Sequence, residues 1–212
     1  MIDLYTWTTP NGRKVSILLE ELGVPYTVKP IDITKDEQFA PDFLKIAPNN
    51  RIPAIVDHET GLHLMETGAI MLYLAKKHDR FQASGDQYWH MVEWLMWQMG
   101  GLGPMLGQVH HFVKYNPGKS PYAEERYSSE ARRLYWVLNT QLEGRDYVVG
   151  EGTGDYTIAD MAIWPWISRH DFQGIDLAEF PNVAAWYARL LARPAVQRGY
   201  HVPKKVNDIP GL

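Results

Sequence analysis

The stretch from residue 49 to residue 75, NNRIPAIVDHETGLHLMETGAIMLYLA, sets the tightest limits on the fold. Pro53 has no backbone N–H, so it stands at the head of a strand rather than inside one. Two short apolar runs follow, 54–56 and 62–65, separated by a turn around Glu59-Thr60-Gly61. Runs so spaced pair as an antiparallel hairpin. Glu66-Thr67 then opens a helix over 67–78 that is apolar almost all round. Such a helix is buried between other elements.

The preceding residues supply the sheet that this hairpin extends. Residues 2–5 read as a buried strand. Thr9-Pro10 reads as a helix start, with threonine as N-cap and proline in the first turn. Val15, Leu18, Leu19 and Leu22 repeat at i, i+3, i+4 and i+7 and give that helix one apolar face, which Gly23 and Pro25 end. Residues 26–31 form a second strand. Strand, helix, strand implies a parallel pair. Residues 34–39 are polar, 41–46 make a short helix at most, and 47–50 turn. Residues 1–78 therefore read βαβ-ββα, 79–86 as a linker, and 87–212 as all-helical. In the last part helices are expected over 88–99, 122–142, 161–167 and 181–192, with a tail from 204. Thr157 and Asp160 form a capping box ahead of the third.

Composition narrows the chemistry. The 212 residues are 45% hydrophobic and 22% charged, which suits a folded α/β plus all-α protein. With a net charge of −4 and no basic block, nothing points to nucleic acid as a partner. No apolar run reaches ~18 residues, so no membrane span is expected, and the N-terminus lacks a signal sequence, which makes the cytoplasm the expected location. There is no cysteine, which rules out disulfide staples, thiolate metal sites and a cysteine nucleophile of the chain's own. His110-His111 has no third ligand at matching spacing, so no metal is expected.

Taken singly, the remaining signals are weak. Thr9 alone is a helix cap, and an X-Pro bond is cis in only ~5–6% of cases. Their order and spacing together resemble the glutathione S-transferases, whose N-terminal half is thioredoxin-like and whose C-terminal half is all-helical. The resemblance spans essentially the whole chain. TPNG, PNNRIPAIVD, ETGAIMLYLA, GGLGPMLGQ with HHF, YAEERY and TIADMAIWPW are similar to the bacterial Nu class, known for disulfide-bond reduction with glutathione. The resemblance implies glutathione as co-substrate, a homodimer, and contacts at defined positions. If the Ile52–Pro53 bond is cis, the Ile52 peptide groups face outward and pair with the cysteinyl backbone of the tripeptide, as an added strand would. Glu66 meets the γ-glutamyl ammonium. Thr67, at a helix N-terminus, meets the γ-glutamyl carboxylate. Arg51 meets the glycyl carboxylate, Gln38 adds a contact from the loop above, and Arg126 adds an anion contact from the helical half. Trp94, Trp97, His110, His111 and Phe112 are candidates for the acceptor pocket.

By the same resemblance the sulfur lies at the start of the first helix, beside Thr9 and Asn11, with Tyr5 as the competing candidate. A free thiol has a pKa of ~8.5, and lowering it by ~2 units takes ~2.7 kcal/mol. One hydrogen bond to an anion supplies ~1.5–3 kcal/mol and a helix N-terminus ~0.3–1 kcal/mol, so Thr9 and Asn11 suffice without a tyrosine. Three functions remain open: glutathione-dependent reduction of small disulfides, conjugation of glutathione to electrophiles, and non-catalytic glutathione binding.

Overall fold

A computed structural model describes residues 1–212. The chain forms two compact units. The first joins Met1–Arg80 to Arg193–Ile209, and the second joins Phe81–Ala192 to Pro210–Leu212.

The first unit is built on a four-stranded sheet of order β2-β1-β3-β4. Strand β1 (Ile2–Thr6) leads into helix α1 (Pro10–Leu22), and β2 (Tyr26–Pro30) returns parallel to β1. Two short 3-10 turns and α2 (Pro41–Leu44) connect to β3 (Ala54–Asp57) and β4 (Leu62–Met65), both antiparallel to their neighbours. Helix α3 (Thr67–His78) follows. The start of α1 is tied by the Thr9 hydroxyl oxygen, which accepts from the Gly12 amide at 3.1 Å. Gly12 is required there: a Cβ would lie 2.2 Å from the Trp7 carbonyl oxygen and 2.5 Å from Thr6 Oγ1. The helix thus begins pressed against the end of β1.

The C-terminal segment departs from the expected layout. Residues 193–209 belong to the first unit, not to a helical domain running over 87–212. The cause is the polar face of α1. Helix α10 (Pro194–Tyr200) lies against that face, so close that a Cβ on Gly199 would meet the Ile17 backbone at 2.6 Å. Ser16 Oγ donates to the Gly199 carbonyl at 2.6 Å and Arg13 Nε to the Tyr200 carbonyl at 3.1 Å. The Arg13 guanidinium also lies 3.5 Å from the centre of the Tyr200 ring. Arg193 forms a bidentate pair with Glu21, at 2.6 and 2.9 Å. Residues past 204, expected as a tail, contribute Asn207 Oδ1 as an acceptor for Arg13 and place the Lys204 ammonium over the Trp7 ring.

The second unit is helical. It holds α4 (Asp86–Trp97), α5 (Gly103–Val109), α6 (Pro121–Gln141), α7 (Ile158–Ile167), the short α8 (His170–Gln173) and α9 (Pro181–Leu191). Two π-helical stretches, Gln98–Leu102 and His110–Tyr115, continue α4 and α5. The Thr157–Asp160 capping box forms, and Asp160 also accepts from the Val148 amide and Trp186 Nε1 at 3.0 and 2.9 Å. Trp164 and Tyr187 stack at its centre, 5.2 Å apart. No helix is long and apolar enough to cross a membrane.

In the first unit, Asp57 closes β3 with a fully buried carboxylate. Burial alone would raise its pKa. The Lys77 ammonium and the Tyr73 hydroxyl on α3, with the Glu59 amide, outweigh this and hold it at about 2. A carboxylate depressed in the folded state stabilises above its unfolded pKa, and that stability is lost as pH falls through the folded value. After allowance for the exposed Glu59 arm of this cluster, the contribution at pH 7 is about 1–2 kcal/mol. Asp57→Asn is therefore expected to be less stable than wild type by about that amount at pH 7, with the gap closing between about pH 4 and pH 2. Urea denaturation across this range checks it.

Candidate functional site

The sheet register gathers residues distant in sequence. Tyr5 of β1 pairs with Ala54 of β3, and Ala54 pairs with Met65 of β4. Strand β1 therefore ends where β3 begins and β4 ends. The residues just beyond these points are the turn into α1, the Ile52–Pro53 peptide and the Glu66–Thr67 pair. They enclose a cleft of about 140 Å³ lined by Asn11, Asn49, Arg51, Ile52, Pro53, Met65, Glu66 and Thr67. Sites that enclose a whole small ligand run to about 300–1,000 Å³. This cleft grips one part of an extended ligand and leaves the rest in the open.

The Ile52–Pro53 bond is cis. Ile52 precedes the β3 ladder, which starts at Ala54, so its peptide groups stand outside the sheet. Arg51 is exposed and folds back on Asn50, donating to the Asn50 carbonyl at 3.2 Å and to its side-chain oxygen at 2.6 Å. Thr67 is the first residue of α3 and is buried, whereas Glu66 before it is exposed. Asn11 sits in the first turn of α1 and lines the cleft. Thr9 is the N-cap of α1. Its oxygen holds the Gly12 amide, which leaves the hydroxyl hydrogen to donate. Gln38 does not line the cleft. It sits in a 3-10 turn with its amide toward Asp36 Oδ1 at 3.4 Å. Tyr5 is not among the lining residues either: its ring packs on Phe43, in a cluster with Ala47 and Ala54. Burial, with Asp3 nearby, raises its hydroxyl pKa.

Arg126 belongs to the second unit. It lines an open groove of about 580 Å³ on α6 with Tyr122, Tyr127 and Arg133. Trp94 and Trp97 form an edge-to-face pair and line another groove, of about 570 Å³, with His90 and Gln141. His110 is a core residue. It bonds Gln173 at 3.2 Å and packs on Trp166, and burial, with Arg169 adding to it, lowers its pKa to about 4. His111 packs edge-on against Phe112, and Phe112 stacks on Tyr127.

Two features of the cleft were not visible in sequence. Glu66 has φ 70° and ψ 117°, a backbone conformation that a Cβ disfavours. Lys14, one turn into α1, is 1% exposed, and its ammonium lies 3.5 Å from Thr67 Oγ1. Burial lowers its pKa to about 7, against the opposing pull of the Glu66 carboxylate. A lysine beside Arg13 reads as part of a solvated helix face, and no local pattern marks it otherwise. The Glu66 backbone carries its own test. Glu66→Ala and Glu66→Gly remove the same carboxylate, and glycine alone relieves the strain. The glycine variant is expected to be the more stable by about 1–2 kcal/mol in urea denaturation, the reverse of the ordinary Ala–Gly order.

The glutathione S-transferase N-terminal domain family matches residues 1–76, and the glutathione S-transferase C-terminal domain family matches residues 103–194. The disulfide-bond oxidoreductase YfcG of Escherichia coli is 49% identical over 201 residues, which cover 92% of this chain and 92% of that protein. A glutathione transferase from Burkholderia graminis, solved with two glutathione molecules bound per protein subunit, superposes with a TM-score of 0.89 at 38% identity over 97% of this chain and 89% of its own. A glutathione transferase from Pseudomonas putida, solved with one glutathione disulfide bound per subunit, gives 0.88 at 39% identity over 95% and 91%. With both halves matched and the four-stranded sheet and helical unit in the expected order, the chain belongs to the glutathione S-transferase family.

Proposed function

We propose that the chain reduces small disulfides with glutathione held in the cleft at the end of β1, β3 and β4. The observation that carries this reading is the gathering of Asn11, Arg51, Ile52, Glu66 and Thr67 around one cleft in a chain without a cysteine. The thiol must then come with the ligand. Glutathione is a tripeptide, so the Ile52 peptide groups hydrogen-bond its cysteinyl backbone. Glu66 takes the γ-glutamyl ammonium, Thr67 the γ-glutamyl carboxylate, and Arg51 swings from Asn50 to the glycyl carboxylate. The cysteinyl sulfur comes to the start of α1, where the Asn11 amide and the Thr9 hydroxyl donate to the thiolate.

The thiolate attacks one sulfur of the substrate. The S–S bond breaks, and the departing thiolate takes a proton from solvent. A second glutathione thiolate attacks the glutathione sulfur of the mixed disulfide and releases the other substrate thiol. Two glutathiones are oxidised to one glutathione disulfide, and the substrate disulfide is reduced to two thiols. The name of the Escherichia coli relative and the glutathione disulfide held by the Pseudomonas putida protein support this direction. The working form is a homodimer in the cytoplasm, as is usual for the family.

Asn11→Ala is expected to lower turnover of a small hydroxyalkyl disulfide by about 10–100-fold, the worth of one hydrogen bond to an anion. Thr9→Val does the same, with a further loss of about 1 kcal/mol in stability from the missing cap. Tyr5→Phe leaves turnover at the wild-type level. Loss of activity in Tyr5→Phe alone would overturn the sulfur site. Much faster conjugation of an aryl halide than reduction of the disulfide would make conjugation the principal activity.

A further inference from the structure

The loop after α10 is bound to the helix whose start carries Thr9 and Asn11. Arg13, one turn past Thr9 in α1, donates to the Tyr200 carbonyl at 3.1 Å and to Asn207 Oδ1 at 3.4 Å, and the Asn207 amide donates to the Tyr200 hydroxyl at 3.2 Å. A loop tied at both ends has few conformations left to lose. Lys204 stands between those ties. It is exposed, and its ammonium lies 4.6 Å from the centre of the Trp7 ring. Trp7 belongs to the turn that starts α1, where its carbonyl accepts from the Thr9 amide at 2.8 Å. Lys205 next in the chain pairs with Asp208, whereas Lys204 has no carboxylate partner. Residues 4–19 contain no Asp or Glu, so the segment against which Lys204 leans supplies none.

We propose that Lys204 is a specificity-determining residue for the disulfide substrate: it favours substrates that carry a carboxylate and disfavours those that carry an ammonium. The argument is one of place and charge. Glutathione is gripped through the cleft, whose lining includes Asn11 but neither Trp7 nor Lys204. Its sulfur comes to Thr9 and Asn11, and the substrate has to reach that sulfur from outside the cleft. Attack runs in line with the S–S bond, so the second sulfur of the substrate, with the chain attached to it, extends away from glutathione. Trp7 and Lys204 adjoin Thr9 without lining the cleft, which leaves them to this incoming chain. An exposed ammonium over a ring is weakly held, so it turns to a substrate carboxylate at little cost. Its three rotatable donors take a carboxylate from many directions. The Trp7 ring is left to pack on the methylenes. Charge matching of this kind decides which partner is accepted more than how tightly it is held.

This inference rests on the glutathione reading, and its test separates the two. Three small disulfides of similar length and different charge are reduced with glutathione on the full chain. They are dithiodipropionate (a dianion), hydroxyethyl disulfide (neutral) and cystamine (a dication). The kcat/KM of each is measured for wild type, Lys204→Gln, Lys204→Glu and Lys204→Arg, at low and at high salt, with the uncatalysed rate subtracted. The readouts are the ratios of dianion to neutral and of dication to neutral within each variant, in which any loss common to all substrates cancels. Relative to wild type, Lys204→Gln is expected to lower the dianion ratio by about threefold to fivefold. Lys204→Glu is expected to lower it further and to raise the dication ratio, and Lys204→Arg to keep both. Salt screens exposed charges, so the wild-type dianion ratio is expected to move toward that of Lys204→Gln at high salt. Equal ratios in wild type and Lys204→Gln, or no gain for cystamine in Lys204→Glu, would overturn the role of Lys204 and leave the glutathione reading standing. Absence of glutathione-dependent turnover of all three disulfides by wild type would overturn the glutathione reading and this inference with it.

Discussion

The register across β1, β3 and β4 is the constraint from which the cleft follows. Side chains alternate across a strand, so a one-residue slip would turn the buried Ile55 outward and carry Ile52–Pro53 away from Glu66. With Tyr5, Ala54 and Met65 in one row, three chain segments end at the same edge of the sheet, and the residues that line the cleft need no long loops to reach one another. Close approaches on α1 depend on the same frame. Gly12 lets the helix start against the end of β1, and Gly199 lets α10 lie on its far side. A helix so confined presents the same residues to the cleft each time the protein folds.

Much of the first unit was legible in sequence because its signals are local. Thr9-Pro10 marks the start of α1 through cap chemistry, Gly23 ends it in a left-handed conformation, and Glu66-Thr67 marks the start of α3. The hairpin followed from turn spacing. Of the site, Asn11, Arg51, Ile52, Glu66 and Thr67 were readable through the family resemblance, and the structure brings them to one cleft. Gln38 stands apart from it, and Arg126 lies in the other unit. What could not be read depends on partners distant along the chain. The Arg13 and Ser16 face of α1 looks solvated until carbonyls of residues 199 and 200 satisfy it. Lys14 looks like its neighbour. The strained Glu66 backbone carries no composition signal, since glutamate is not a residue that announces a positive φ.

Two buried carboxylates, Asp57 in the first unit and Asp160 in the second, serve the fold. Asp160 accepts from Thr157, Val148 and Trp186, so three segments are pinned to one carboxylate. Burial still raises its pKa to about 6, with those hydrogen bonds opposing. Its acceptor capacity is spent inside the fold, and its role is structural. Asp57 does the same for the end of β3, where Lys77 and Tyr73 of α3 hold it. The same physical cost, desolvation of a charge, secures a helix start in one place and ties a strand to a helix in the other.

The return of α10 to α1 has a consequence for the order in which this protein can be made. The chain leaves the first unit at Arg80 and re-enters it at Arg193, so the helical unit is an insertion within the cleft-bearing one. Ribosomal synthesis delivers β1 and α1 first, yet the polar side of α1 stays uncovered until more than a hundred residues later. Domains usually complete themselves in the order they emerge. Here residues 81–192 of the helical unit emerge before its host is complete, and only residues 210–212 of it follow.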